Sequence, residues 1–228
     1  MRFALVGQPN CGKSTLFNQV AGYKAATGNF SGTTVTFTET KVRVLGNIVE
    51  LVDLPGTYSL LGTNPAERVV LDYLVSNEVD AIINVVDATH LAQGIALTLE
   101  LLELNRPLIL AVNMMDEAAR QGIHIDGEKL QDILHIPVLP IIATKGQGVR
   151  NVFATAWQAG KEHKNAQRQR YSEELEQQIS RIATLVKSVD LPIGSQALAL
   201  KLWEGDPPLT EQVGRKVQGI ESEVQRDG

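Results

Sequence analysis

The residues best placed to do chemistry in this 228-residue sequence stand near its start: Gly7-Gln8-Pro9-Asn10-Cys11-Gly12-Lys13-Ser14, followed by Thr15. The string satisfies G-x-x-x-x-G-K-S/T. It lies between a short apolar run, Arg2–Val6, and a helical pattern over residues 13–21. Its chemistry is the cradling of phosphate. Glycines let the backbone curl round an anion, while inward N–H groups and the positive end of the following helix attract it. In such a loop Lys13 reaches the β- and γ-phosphates and the Ser14 hydroxyl binds Mg²⁺. The run from Gly7 to Thr15, with Gln8 and Pro9, is assigned to the nucleotide. Cys11 is read as a small filler of the loop rather than a nucleophile.

Three further strings follow in order. Asp53-Leu54-Pro55-Gly56 ends a strand pattern over Ile48–Val52. A carboxylate there can hold Mg²⁺ through water, and the Gly56 N–H can meet the γ-phosphate. Asn113-Met114-Met115-Asp116 ends the apolar run Leu108–Val112. An acid at that place can accept from N1–H and N2–H₂ of guanine, and adenine lacks the N2 amino group. Asp116 therefore selects GTP over ATP, Asn113 belongs to the same site, and the Met114 stem covers the base. The alternative is that Asp116 merely caps a helix. Ile142-Ala143-Thr144-Lys145-Gly146 is the weakest string; a backbone N–H of Ala143 or Thr144 is offered to the guanine O6.

The elements that must position these loops are legible in the apolar pattern. Ala81–Val86 and Leu108–Val112 are continuous apolar runs, as expected of strands covered on both faces. Thr34–Leu45 and Ile48–Val52 read as a hairpin turned at Gly46-Asn47. Asn64 and Pro65 mark a helix start, Leu91–Leu104 and Val149–His163 fit helices, and Val138–Ile142 is the last strand. Strands alternating with helices predict a doubly wound, mostly parallel α/β sheet with one antiparallel edge hairpin. Composition turns polar from Glu162 to Gln178, which places a boundary near residue 167 between a domain of residues 1–166 and a small all-α unit of 167–228. In that unit Leu175, Ile179, Ile182, Val186 and Val189 share one helical face ended by Leu191-Pro192. Ser195–Trp203 is a second helix, and Val213, Val217 and Ile220 mark a third. So few residues make a marginal core, so these helices are expected to pack on the first domain or on a partner.

Composition excludes several classes. A net charge of −5 argues against broad nucleic-acid binding. One cysteine excludes a disulfide framework and fits a reducing cytoplasm. No apolar run approaches the ~18 residues of a membrane helix, so the chain is expected to be soluble by itself while open to being part of a longer membrane protein. His90, His124, His135 and His163 have no ligand spacing and are read as surface or loop residues.

The strings G-Q-P-N-C-G-K-S-T-L-F-N, G-N-F-S-G-T-T-V, D-L-P-G-T-Y-S-L and N-M-M-D resemble the N-terminal G domain of the bacterial ferrous-iron transporter B family, over residues 1 to about 160. The tail, with A-L-K-L-W-E-G-D at 199–206, more loosely resembles that family's helical domain, which slows GDP release. The resemblance implies a P-loop NTPase fold of the Ras-like kind and a slow GTPase using GTP/GDP and Mg²⁺, with K⁺ as a further cofactor. It aligns Gly32-Thr33-Thr34-Val35 with the family's switch, making Thr34 the Mg²⁺ ligand of the triphosphate state. It assigns Asn10 to a K⁺ ion beside the phosphates. Thr57 stands where Ras-like proteins carry a catalytic glutamine, so Asn10, Lys13, Thr34 and Gly56 are left as the catalytic set. Thr36 and Ala143 depart from the family pattern. The implied partners are guanine nucleotide and a membrane-spanning iron-permeation region; a homo-oligomer is left open, since the sequence does not give the oligomeric state. The competing function is a soluble GTPase acting on ribosomes or RNA, disfavoured because no basic tail or RNA-binding appendage is present. Asp116 and Asn113 argue against a P-loop kinase or metabolic ATPase.

Overall fold

The computed structural model describes residues 1–21, 26–29, 35–166 and 170–217, with the backbone alone for 27–29. Strands β1 (Arg2–Gly7), β2 (Ala26–Asn29), β3 (Thr36–Val44), β4 (Asn47–Asp53), β5 (Ala81–Asp87), β6 (Leu108–Asn113) and β7 (Val138–Pro140) form one sheet in the order β2-β3-β4-β1-β5-β6-β7. β4, β1, β5, β6 and β7 run parallel. The antiparallel part is larger than one hairpin, because β2 pairs with β3 outside the β3–β4 hairpin, Ala26 opposite Glu39 and Asn29 opposite Thr36. Residues Ala26–Asn29, for which the sequence pattern gave no strand, are thus an edge strand. Such a strand needs only one neighbour, so it leaves no long apolar run to read.

The hairpin turn also differs. Its two left-handed residues are Leu45 (φ 47°) and Gly46 (φ 83°), and Val44 and Asn47 close it as a pair. A two-residue turn that follows strand twist needs positive φ at both central positions; Gly46 supplies one freely, and Asn47 donates from Nδ2 to the Leu45 carbonyl at 3.1 Å.

Helices cover both faces. On one lie α1 (Lys13–Val20) and α6 (Val149–Lys161), whose Leu16, Phe17, Val152 and Phe153 pack with Phe3, Leu5, Ile83 and Ile109. The other face carries α2 (Pro65–Ser76) and α3 (Leu91–Leu102), with Val70, Leu74, Leu97 and Leu101 against Ala4, Val6, Ile82 and Leu110. Alternate residues of each strand thus feed two cores, the period-2 consequence of a doubly covered sheet. Asn64 caps α2 as expected: its side chain accepts from the Glu67 N–H at 3.0 Å, and Glu67 accepts from the Thr63 N–H at 3.0 Å. Two short helices, α4 (Met115–Arg120) and α5 (Gly127–Leu134), were not evident in the sequence.

The tail forms α7 (Glu173–Leu185), α8 (Ser195–Trp203) and α9 (Pro207–Gly214). The first stops about a turn before the Leu191-Pro192 signal, tightening into a 3₁₀ turn at Val186–Ser188. Ile179, Ile182, Leu198, Leu202 and Val213 continue the core on the α2–α3 side. Buried Arg106 stitches the junction, donating to the carbonyls of Asn77 and Pro192 at 3.0 Å each. The tail helices therefore share one core with the α2–α3 side of the sheet, as so small a group of helices needs.

Candidate functional site

Three strand ends converge at the carboxyl edge of the sheet, where adjacent parallel strands open a crevice. From β1 comes the Gly7–Ser14 loop. A Cβ on Gly7 would stand 2.4 Å from the Val85 carbonyl oxygen, and one on Gly12 (φ 87°) would stand 2.1 Å from Asn113 Nδ2. Only glycine fits either position, so the loop is held close enough for its N–H groups to converge. Asn10 also takes positive φ (66°) and its side chain is exposed. A cleft of about 490 Å³ opens here, lined among others by Gln8, Pro9, Asn10, Lys13, Thr15 and Met114.

From β4 comes Asp53. Lys13 Nζ donates to Asp53 Oδ1 and to the Leu54 carbonyl, and Ser14 Oγ donates to Asp53 Oδ2 at 3.0 Å. The ammonium, hydroxyl and carboxylate expected to share a phosphate and its metal are thus neighbours. A hydroxyl and a carboxylate this close are hard oxygen donors of the kind Mg²⁺ takes, so the residues fit that ion. Gly56 crosses over the phosphate loop: a Cβ there would lie 3.0 Å from Pro9 Cα. Thr57 is buried at 2% exposure, its N–H donating to the Gly7 carbonyl at 3.1 Å and its Oγ1 to the Ser59 carbonyl at 2.8 Å. Its hydroxyl is committed to its own loop.

From β6 comes Asn113, buried at 3% exposure. Its Nδ2 donates to the Cys11 carbonyl and its Oδ1 accepts the Ala143 N–H, both at 2.9 Å. Asn113 thus braces the phosphate loop against the loop of Ala143. The Ala143 N–H is engaged by Asn113, while Thr144 follows it in the same loop. Met114 holds a left-handed backbone (φ 61°) as the residue preceding α4, and Asp116 lies in that helix's first turn rather than at its cap. Lys145 Nζ donates to Asp116 Oδ2 at 2.8 Å, and this bond chiefly holds the Asp116 carboxyl below its ordinary range. The pairing of Lys145 with Asp116 was not read from the sequence, although Lys145 lies in a string singled out there.

Burial pushes the Cys11 thiol up to about 11, which keeps it protonated and agrees with a filler role. His90 stands exposed beside Asp87, Nδ1 3.2 Å from Oδ2. Gly32, Thr33 and Thr34 lie outside the described residues. No helix among the described residues is long and apolar enough to cross a membrane.

Residues 1–156 match the family described as ferrous iron transport protein B, and residues 171–227 match the FeoB cytosolic helical domain. The Fe(2+) transporter FeoB of Escherichia coli (strain K12) is 36% identical over 231 residues, covering 99% of this chain and 30% of the transporter. That of Salmonella typhimurium (strain LT2) is 35% identical with the same coverage. The chain thus spans about 30% of the length of these curated relatives. Among solved structures, the cytosolic domain of T. maritima FeoB in its GMPPNP form superposes with a TM-score of 0.83 at 33% identity, covering 96% of this chain and 86% of that one. A mutant of S. thermophilus NFeoB bound to GDP gives 0.85 at 33% identity, with 98% and 87% coverage.

Proposed function

The chain belongs to the ferrous iron transport protein B family, and on that premise we propose that it binds guanine nucleotide, hydrolyses GTP slowly, and through its nucleotide state bears on Fe(II) passage in a membrane region not among these residues. The observation that carries this reading is the bracing of two loops by one side chain. Asn113 joins the phosphate loop at Cys11 to the loop of Ala143, which supports a reading in which the phosphate and base sites keep a constant separation. Asp116, next to that brace, then selects guanine.

In this reading Lys13 exchanges its bonds to Asp53 and Leu54 for the β- and γ-phosphate oxygens. Ser14, Asp53 and, in the triphosphate state, Thr34 would hold Mg²⁺, with Gly32 and Thr33 beside it. The ion supplies charge neutralisation across the β- and γ-phosphates. The Gly56 N–H meets the γ-phosphate from above the loop, and Thr144 meets the guanine O6. Asn10 would offer its amide oxygen to K⁺, which fits an exposed side chain at the rim of the phosphate cleft. A charge there offsets the one that develops on the leaving oxygen, the part an arginine plays elsewhere.

We further propose that residues 1–166 form the nucleotide-binding domain and that 167–228 restrain GDP release, in a protein lying on the cytoplasmic face of a bacterial inner membrane. Titration of the purified chain by calorimetry with GDP, GTP, ATP and xanthosine triphosphate in Mg²⁺ tests the central claim. Affinity for GDP and GTP but not ATP is expected; equal ATP binding contradicts it.

A further inference from the structure

The segment that follows Asp53 is anchored at both ends by different means. At its start the backbone does the work: Leu54 N–H donates to the Leu5 carbonyl at 3.2 Å and Thr57 N–H to that of Gly7 at 3.1 Å. Beyond Thr57 the strand neighbours are gone, and a side chain from α3 takes over. Ser59 Oγ donates to Glu100 Oε2 at 3.0 Å, and the Leu60 N–H donates to the same oxygen. Bonds to an ionised carboxylate are roughly twice as strong as neutral ones. Leu60 is fully buried beside this grip, while Tyr58 and Leu61, on either side of Ser59 and Leu60, stand more than half exposed at 58% and 55%. The loop carrying Gly56 is therefore suspended between a backbone anchor at Gly7 and a carboxylate anchor at Glu100.

One turn further along, just beyond α3, Glu103 faces the helical tail. Tyr171 Oη donates to Glu103 Oε1, and Lys201 Nζ stands 3.6 Å from Glu103 Oε2. The end of this helix thus touches the Gly56 loop on one side and α8 on the other.

We propose that Glu100 is a positioning residue for GTP hydrolysis: by holding Ser59 and Leu60 it sets where the Gly56 N–H stands over the phosphate loop. The proposal rests on the GTPase reading given above. An N–H acts on a developing charge only if it is already in place, and a displacement of ~1 Å costs on the order of 10²-fold in rate. GDP has no γ-phosphate for Gly56 to meet, so loosening this anchor separates hydrolysis from GDP binding.

Glu100→Ala should lower single-turnover GTP hydrolysis by at least ~10-fold while GDP affinity stays within ~2-fold. Glu100→Gln, whose amide oxygen can accept the same two bonds, should recover the rate to within ~3-fold of the parent. Ser59→Ala removes one of the two bonds to Glu100, together with the bond that Ser59 Oγ accepts from the Leu61 N–H at 3.1 Å, and should be intermediate. Parent-like hydrolysis in Glu100→Ala overturns the proposal, as does a loss of GDP affinity matching the loss of rate. If Glu100→Ala does not fold, parent-like hydrolysis in Ser59→Ala overturns it instead. A parent that hydrolyses beside an equally fast Glu100→Ala removes the role of Glu100 alone. A parent that binds GTP without turning it over removes the GTPase reading and this proposal together.

Discussion

The Asn113 side chain donates to the carbonyl of Cys11 across 102 residues of sequence, at 2.9 Å and out of contact with water. With its oxygen on the Ala143 N–H, it satisfies two backbone groups that no strand ladder serves. Asn113→Ala leaves both unsatisfied, and each such group costs ~1–3 kcal/mol. GDP and GTP affinity should fall together, and the nucleotide-free protein should melt at lower temperature. Calorimetry with both nucleotides checks this; a selective loss of one nucleotide would contradict a bracing role.

Asp116 is where base choice is tested. Asp116→Asn replaces an acceptor with a group that offers a donor to guanine N1–H. Loss of GTP affinity of ~2–4 kcal/mol and a gain for xanthosine triphosphate are expected. Unchanged GTP binding would remove Asp116 from the site. Lys145→Ala adds a pH test. Asp116 is held ionised to lower pH by Lys145, so what depends on its charge persists above its ordinary pKa and is lost as pH falls through the depressed one. Without Lys145 the acid limb of GDP affinity should move to higher pH.

Cys11 should resist alkylation. A thiol pushed up to about 11 from 9.0 is almost wholly protonated at pH 8, and the side chain is buried. Iodoacetamide at pH 8 should label it at least ~100-fold more slowly than a free thiol. The neutral thiol is favoured in the folded state, so its contribution to stability is complete below pH 9 and declines as pH rises towards 11. Rapid labelling of the folded chain would show that the loop opens.

The helical tail meets α2 through Arg68. Its Nη1 lies 2.7 and 2.6 Å from the two oxygens of Asp206, which also caps α9 by accepting the Leu209 N–H at 2.8 Å. Asp206 is nearly buried, so the pair is worth more than an exposed one. Asp206→Asn keeps an acceptor for the cap and removes the charge. It should lower stability by ~1–2 kcal/mol and speed release of a fluorescent GDP analogue, and a chain ending at residue 166 should release it faster still. Release unchanged in both would make the tail a spacer.

The Thr57 hydroxyl donates to the Ser59 carbonyl, so the proposed hydrolysis needs another source of charge stabilisation. Turnover should be faster in K⁺ than in Na⁺ at equal ionic strength. Asn10→Ala should abolish that difference while keeping most GTP affinity. Equal rates of the parent in both salts would rule out the cation at Asn10.

The phosphate loop, the Asp53 string and the Asn113–Asp116 string were legible in the amino-acid sequence because each is local chemistry. Glycines stand where a Cβ would collide with Val85 or Asn113, and each string follows a strand pattern, Ile48–Val52 before Asp53 and Leu108–Val112 before Asn113. The helix start at Asn64-Pro65 and the extent of Ser195–Trp203 were legible for the same reason, since capping and periodicity act over a few residues. Tertiary structure decided the rest. That Asn113 bridges Cys11 and Ala143 was decided by the fold, which brought the two loops to its side chain. The edge strand Ala26–Asn29 exists only because β3 offers it a partner. The partners of Glu100, Lys145 and Arg68 were likewise set by the fold. Each acts on a residue 29 or more positions away. Spacing along the chain carries no signal at that range, because what pairs such charges is the packing of helices on a shared sheet.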